Sequence, residues 1–212
     1  MAGHDVYTLP DDLPVPKDDG ACDGLESRKL PDLSLTATTG GQINLAGLGD
    51  EGTAVLFVYP RTGRPDQPLP QGWDLIPGAR GCTPQSCAFR DLHGEFEARG
   101  VSVTGLSAQC PEDQLEFTER VHLQFPLLSD ADLELAAALG LPTFEAAGMT
   151  LYKRVTLVIR DGEIVKVFYP VFPPDRNAVE VLSWLSGGAT RGSAGTAPPD
   201  PRPDPGARAS RG

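Results

Sequence analysis

The 212-residue sequence has no apolar run that approaches the roughly 20 residues needed to cross a bilayer. It also lacks a surplus of basic residues, because 18 Lys and Arg stand against 29 Asp and Glu, a net charge of −11. Nucleic acids and anionic membranes repel such a chain, so we expect neither as a partner. The acidic, proline-punctuated start has no basic head followed by an apolar stretch. This absence of a secretory signal predicts a cytoplasmic protein.

Cysteine is scarce. Four cysteines are too few to hold a chain of 212 residues together by disulfides, so we do not expect a disulfide-built fold. Cys82 and Cys87 form a C-x4-C pair, but no C-x2-C partner accompanies them, which argues against a zinc or iron–sulfur site. Cys110 follows a predicted strand, and we expect it to be a bystander. Cys22 lies near the chain start, and we expect a free surface thiol there.

Composition divides the chain into three parts. Residues 187–212 contain no large apolar side chain, which predicts a disordered tail rich in Pro, Gly and Arg. Residues 1–29 are acidic and rich in proline, which predicts an extended N-terminal lead-in. Residues 30–186 form one domain, which is long enough to bury a sizeable core.

Helical and strand patterns alternate within this domain. Continuous β-branched and aromatic runs at residues 54–59 and 101–106 predict buried strands, and Asp161-Gly162 between two further runs predicts a hairpin. A helix is predicted from the cysteine loop to Gly100, followed by helices at 111–121, 132–139 and 176–185 and a short strand at 125–128. The order predicts an α/β fold whose mixed central sheet is flanked by helices on both faces.

The loop that contains Cys82 connects a buried strand to a helix. Thr83 followed by Pro84 predicts an N-cap and a first helical position, so Cys82 lies where backbone N–H groups and the helix dipole favour a thiolate. Arg80 adds positive charge nearby. Cys87 lies on the second helical turn, roughly 8–9 Å from Cys82 between Cα atoms. Because a disulfide tolerates about 7 Å, the two cysteines pair only if the first turn unwinds.

Spacing alone leaves two interpretations of Cys82 and Cys87 open. Cysteines of a cytoplasmic protein are usually inert, partly buried side chains. A disulfide that forms only after the helix unwinds cannot stabilise the folded protein, but such a pair of cysteines suits a redox cycle. The C-x-x-C motif of thioredoxin-type oxidoreductases is absent, which counts against a disulfide reductase.

The chain resembles the Q-type peroxiredoxins, which are also called bacterioferritin-comigratory-protein-like. The motifs that carry the resemblance lie between residues 30 and 185 and include GCTPQSCAFRD, LSAQCPEDQLEFTE, FPLLSDAD and YKRVTLVIRDGEIVKVF. The resemblance implies a thioredoxin-like fold, no metal or haem, and thiol-dependent reduction of hydrogen peroxide and organic hydroperoxides. It makes Cys82 the peroxidatic cysteine and Cys87 the resolving one, and it assigns active-site positions to Arg154 and Pro60.

The resemblance also implies partners. Thioredoxin or a similar dithiol reduces the oxidised cysteine pair, and the protein is a monomer or a weak homodimer. A different class of function remains open: a thiol redox sensor or thioredoxin-like binding module in which slow oxidation of the same pair signals to a partner. Peroxide consumption far faster than that of a free thiol favours the enzyme.

The sequence departs from the Q-type pattern just before Cys82. Ala79 stands where these proteins usually have a threonine, whose role Thr62 or Thr83 is a candidate to fill. Residues 61–80 form an insertion rich in Pro and Gly, in place of about five residues in the Q-type pattern. Two interpretations stay open: a lid that shapes the substrate pocket, or a rigid surface excursion anchored by Trp73.

Overall fold

The computed structural model describes residues 7–188. Its strands are β1 (Ser34–Ala37), β2 (Gln42–Asn44), β3 (Thr53–Val58), β4 (Val101–Ser107), β5 (Leu127–Ser129), β6 (Thr143–Ala146), β7 (Met149–Tyr152), β8 (Val155–Arg160) and β9 (Glu163–Phe168). Its α-helices are α1 (Cys82–Asp91), α2 (His93–Glu97), α3 (Pro111–Val121), α4 (Glu134–Leu139) and α5 (Asn177–Gly188). No helix within this part of the chain is long and apolar enough to cross a membrane.

Seven of these strands form one sheet in the order β2-β1-β5-β4-β3-β8-β9, and β6 and β7 form a separate hairpin. β3, β4 and β5 run parallel, whereas β1 and β8 are antiparallel to their neighbours β5 and β3. β8 and β9 form the hairpin that Asp161-Gly162 predicts, with positive φ angles of 50° and 67° at the two turn residues. The predicted mixed sheet is therefore confirmed.

Strand β3 contributes to two cores because its side chains alternate across the sheet. Leu56 and Val58 pack on one face against α4, whereas Val55 and Phe57 pack on the other face. That second face is covered by apolar side chains of α1, α2, α3 and α5. The continuous apolar run of β3 thus reflects a strand that is buried on both faces.

Several element boundaries differ from the predictions. The helix predicted from the cysteine loop to Gly100 is broken at Leu92, so α1 and α2 are separate. The β1–β2 and β6–β7 hairpins were not predicted, because strands of three or four residues give little periodicity. The closing helix α5 begins one residue later than expected and includes Gly187 and Gly188; the rest of the predicted tail lies outside the described residues.

Residues 7–29 run along the domain and are attached to it by specific contacts. The carboxylate of Asp19 accepts hydrogen bonds from Lys153 Nζ at 2.6 Å and from the Tyr169 hydroxyl at 2.8 Å. Cys22 and Leu25 are buried in the core that contains α4. The expectation of a surface thiol at Cys22 is therefore wrong, because the apolar residues that follow it bring this part of the lead-in into the core.

Candidate active site

Helix α1 begins at Cys82, and Gly81 provides the turn that starts it. Gly81 has a φ of 98°, which favours glycine, and a Cβ atom there would lie 2.3 Å from Pro174 and 2.8 Å from Leu9. The predicted cap at Thr83 is therefore wrong, since Thr83 already lies inside the helix. The placement of Cys82 at the helix N-terminus is confirmed.

The side chain of Cys82 is 3% exposed and lies against a buried arginine. Arg154, on the segment between β7 and β8, donates from Nη2 to the Cys82 sulfur over 3.3 Å. The same nitrogen donates to the carbonyl oxygens of Arg80 at 3.0 Å and Gly78 at 3.3 Å. These bonds hold the guanidinium in one orientation, so a cation and a thiol that are distant in sequence meet at the start of α1.

A buried polar chain continues from Arg154 into the protein. Its Nη1 donates to Gln85 Oε1, and Gln85 Nε2 donates to Asn177 Oδ1 at 3.0 Å. The Thr156 hydroxyl donates to the same Asn177 oxygen at 2.7 Å. The sequence analysis did not identify Gln85 or Asn177. The spacing of Gln85 could have identified it, because it lies four residues before the buried Phe89 and therefore on the buried face of α1.

Cys87 lies on the same helix as Cys82, five residues further on, and both thiols are free. Its side chain is half-buried, and burial raises the pKa of the Cys87 thiol, an effect that the nearby Arg90 partly opposes. A groove of about 810 Å³ beside Cys87 runs between the lead-in at Leu9 and Leu13 and the loop at Phe172. The lead-in therefore covers part of the helix that carries both cysteines.

The insertion at residues 61–80 covers the start of α1. Trp73 packs with Ala79 and with residues of the β6–β7 hairpin, and its ring centroid lies 6.3 Å from that of Phe144. The Thr62 hydroxyl donates to Gln109 Oε1 at 3.1 Å, so its proton is engaged there and is not available to the Cys82 sulfur. At position 79 the backbone carbonyl oxygen accepts from the Cys82 thiol over 3.7 Å, so it does not replace the hydroxyl donor of the missing threonine.

Two further residues of the sequence analysis lie near this region. Pro60 is buried two residues after the end of β3 and immediately before the insertion. Cys110 is exposed and occupies the residue before α3. Of the predicted site residues, the structure brings Cys82 and Arg154 into direct contact, while Cys87 shares helix α1 with Cys82.

The arrangement can stabilise a sulfur anion. The Arg154 guanidinium and the N–H groups at the start of α1 both favour negative charge at the position of the sulfur. The same groups can stabilise negative charge that develops on an atom bound next to the sulfur. Such a site suits a nucleophilic, oxidisable cysteine.

Comparison with known proteins extends this result. The sequence profile of the Redoxin family matches residues 25–182. Peroxiredoxin Bcp of Escherichia coli (strain K12) is 31% identical over 159 residues, which cover 73% of this chain and 91% of that protein. The structure of peroxidoxin BcpB from Mycobacterium tuberculosis matches with a TM-score of 0.60 at 32% identity, covering 76% of this chain and 96% of the other. The bacterioferritin comigratory protein of Xanthomonas campestris matches with a TM-score of 0.57 at 23% identity, covering 84% and 99%.

The mixed sheet, the helices on its two faces and the buried cysteine at the start of α1 define a redox protein with a thioredoxin-like fold. This confirms the fold class that the sequence predicts. More narrowly, the chain belongs to the Redoxin family, and its relatives are peroxiredoxins of the Bcp or Q type. Membership in this family supports the activity of a thiol peroxidase.

Proposed function

We propose that this protein reduces hydrogen peroxide and organic hydroperoxides with Cys82 as the peroxidatic cysteine and Cys87 as the resolving cysteine. The observation that carries the proposal is the contact of 3.3 Å between Arg154 Nη2 and the buried Cys82 sulfur. Among the four cysteines, this thiol alone lies at a helix N-terminus against a guanidinium in the described part of the chain.

In the first step, the Cys82 thiolate attacks one peroxide oxygen and the O–O bond breaks. The other oxygen leaves as hydroxide or alkoxide, so the sulfur is oxidised by two electrons to a sulfenic acid and the peroxide is reduced. Arg154 stabilises the thiolate before the attack and the charge on the leaving oxygen during it. Pro60, buried where β3 ends, is proposed to shape the backbone at this site.

In the second step, Cys87 gives up its proton and the thiolate attacks the sulfenic sulfur; the S–O bond breaks, and the hydroxide that leaves takes up a proton to become water. The two Cα atoms are roughly 8–9 Å apart on a regular helix, whereas a disulfide requires less than about 7 Å. The first turns of α1 must therefore unwind, which separates Gln85 from Asn177. Because burial raises the pKa of Cys87, unwinding also exposes this thiol to water and favours its ionisation.

In the third step, an external dithiol reduces the disulfide by thiol–disulfide exchange. We propose thioredoxin or a similar dithiol as this partner, in a cytoplasmic protein that acts as a monomer or weak homodimer. The X. campestris relative is described by its alkyl peroxide reduction activity, which supports hydroperoxides as the substrate class here.

One observation favours a second candidate function, that of a thiol redox sensor. The requirement for α1 to unwind couples oxidation of the pair to a change in shape, which a partner can read. The rate of oxidation distinguishes the two functions. Stopped-flow oxidation by hydrogen peroxide far faster than that of a free thiol supports the peroxidase, and an ordinary thiol rate supports the sensor.

The resolving step is tested by mapping disulfides after stoichiometric oxidation. We expect a bond between Cys82 and Cys87 in the wild-type protein, and an accumulated Cys82 sulfenic acid in Cys87→Ser after one turnover. Cys110→Ser is the matched control and retains multiple turnover. Continued catalytic consumption of peroxide with residues 82 and 87 unlinked would contradict the scheme.

A further inference from the structure

A small cavity lies beside the Cys82 sulfur and is formed largely by the insertion. Its volume is about 20 Å³, and its walls include Leu69, Trp73 and Ala79 together with Cys82. A single water molecule needs about 10–15 Å³ on the same measure. The space next to the sulfur therefore accepts a molecule little larger than water.

The wall formed by Trp73 is anchored on the protein. The side chain is 3% exposed and packs with Ala146 and Leu151 of the β6–β7 hairpin. An ion pair of 3.0 Å between Arg80 and Asp74 ties the segment after Trp73 to the start of α1. Close-packed side chains of this kind yield little space without losing contacts.

A second anchor holds the beginning of the insertion. Arg61 Nη1 lies 3.2 Å from the Met149 sulfur of β7, and the Thr62 backbone N–H donates to Gln109 at 2.7 Å. Both ends of the insertion are therefore attached, and Leu69 and Trp73 lie between them. With these side chains in their packed positions, the space beside the sulfur has no room for a bulky group.

We propose that Trp73 and Leu69 determine substrate specificity by size, so that hydrogen peroxide reacts with Cys82 much faster than hydroperoxides with bulky organic groups. The inference rests on the proposed peroxidase function and adds to it a ranking of the substrates by their rate of reaction with Cys82. Hydrogen peroxide is a little larger than water, whereas cumene hydroperoxide carries a phenyl ring on a branched carbon. The chemistry at the O–O bond is the same for both, so the difference arises from access.

The test measures the second-order rate constant of Cys82 oxidation by stopped flow, with hydrogen peroxide and with cumene hydroperoxide. We expect the wild-type protein to favour hydrogen peroxide by at least about tenfold, and Trp73→Ala to lower this ratio by about tenfold. Leu69→Ala is a milder enlargement and lowers the ratio in the same direction. The ratio is the readout, because loss of folded protein lowers both rate constants together.

Leu75→Ala is the matched control, since Leu75 belongs to the same insertion but is 80% exposed and does not line the cavity. We expect this variant to keep the wild-type ratio. Equal, fast rate constants for both peroxides in the wild-type protein would overturn the size selection while leaving the peroxidase function intact. Slow reaction with both peroxides at an ordinary thiol rate would instead refute the peroxidase function and the inference that rests on it.

Discussion

Cys22 and Cys82 are both buried, on opposite faces of the same sheet, but their surroundings carry opposite charge. Cys22 is 8% exposed and lies near Asp18, Asp19 and Asp23; burial and these carboxylates raise the pKa of its thiol to about 12. Cys82 is 3% exposed and lies 3.3 Å from a guanidinium nitrogen. Burial alone keeps a thiol protonated, so charge and hydrogen-bond donors distinguish a reactive cysteine from an inert one.

Two consecutive basic residues, Lys153 and Arg154, lie near the two different cysteines. Lys153 binds the Asp19 carboxylate beside Cys22, and that pair leaves the carboxylates around the thiol only partly compensated. Arg154, the next residue, extends to Cys82. Lys153 is paired with a carboxylate, whereas Arg154 points its guanidinium at the sulfur of Cys82. This difference in pairing distinguishes the surroundings of the two thiols.

Removal of the two thiols gives the largest expected contrast. Cys82→Ser is expected to lower peroxide consumption at least about a thousandfold, because it removes the nucleophile. Cys22→Ala is expected to retain the wild-type rate, since this thiol is neutral and lies on the other face of the sheet. A coupled assay with thioredoxin and its reductase measures both variants. Multiple turnover retained in Cys82→Ser would contradict the assignment of the nucleophile.

Removal of the two basic side chains gives the next largest contrast. Arg154→Met is expected to lower the rate constant for Cys82 oxidation by about a hundredfold, because the thiolate and the leaving oxygen lose their cation. Lys153→Met removes an adjacent cation that binds Asp19 and is the matched control, with little expected change. Stopped-flow oxidation by hydrogen peroxide measures both. Equal losses in the two variants would show that net charge matters and position does not.

The third contrast concerns the orientation of Arg154. Gln85→Leu removes the acceptor for Arg154 Nη1 and leaves a buried donor unpaired, and we expect about a tenfold loss in the rate of Cys82 oxidation. Gln114→Leu is the matched control, because it also removes a buried glutamine amide, but one that bonds Ser107 and the Leu128 carbonyl oxygen and not Arg154, and it is expected to keep most of the rate. The same stopped-flow measurement checks both variants. A loss of equal size in Gln114→Leu would argue against orientation of the guanidinium as the cause.

The smallest effect concerns stability at alkaline pH. Between pH 9 and about 12 the unfolded chain loses the Cys22 proton while the folded protein keeps it, so the free energy of unfolding falls as pH rises. The contribution of this thiol to the slope is at most about 1.4 kcal/mol per pH unit. Cys22→Ala removes the contribution, and urea unfolding at a series of pH values measures the difference. An identical slope in both proteins would show that neither burial nor the carboxylates raise the pKa of Cys22 in the folded protein.

The sequence alone predicted the long buried elements and the position of Cys82. The run that forms β3 and the Asp161-Gly162 turn carry strong local signals, and the peroxiredoxin motifs identify Arg154 among several basic residues. Local patterns suffice for β3 and for the turn because each depends on residues close together in the chain, whereas Arg154 was identified only through the family resemblance.

The remaining features depend on contacts between distant segments. Asn177 joins the site through Gln85, 92 residues away in the sequence, and no local pattern connects them. The burial of Cys22 depends on the packing of the lead-in against the core that contains α4. The position of Trp73 depends on the β6–β7 hairpin, whose strands are too short to be predicted from periodicity.

Gln85 lies between the two cysteines on α1 and binds Arg154 and Asn177 at once. If Cys82 and Cys87 become joined during turnover, the residue that fixes the guanidinium is carried away with the unwound segment. The oxidised form then no longer assembles the machinery that activated the sulfur. Under the proposed scheme, each catalytic cycle would include a refolding of these turns of α1, and the rate of that refolding would limit how soon the next oxidant molecule is consumed.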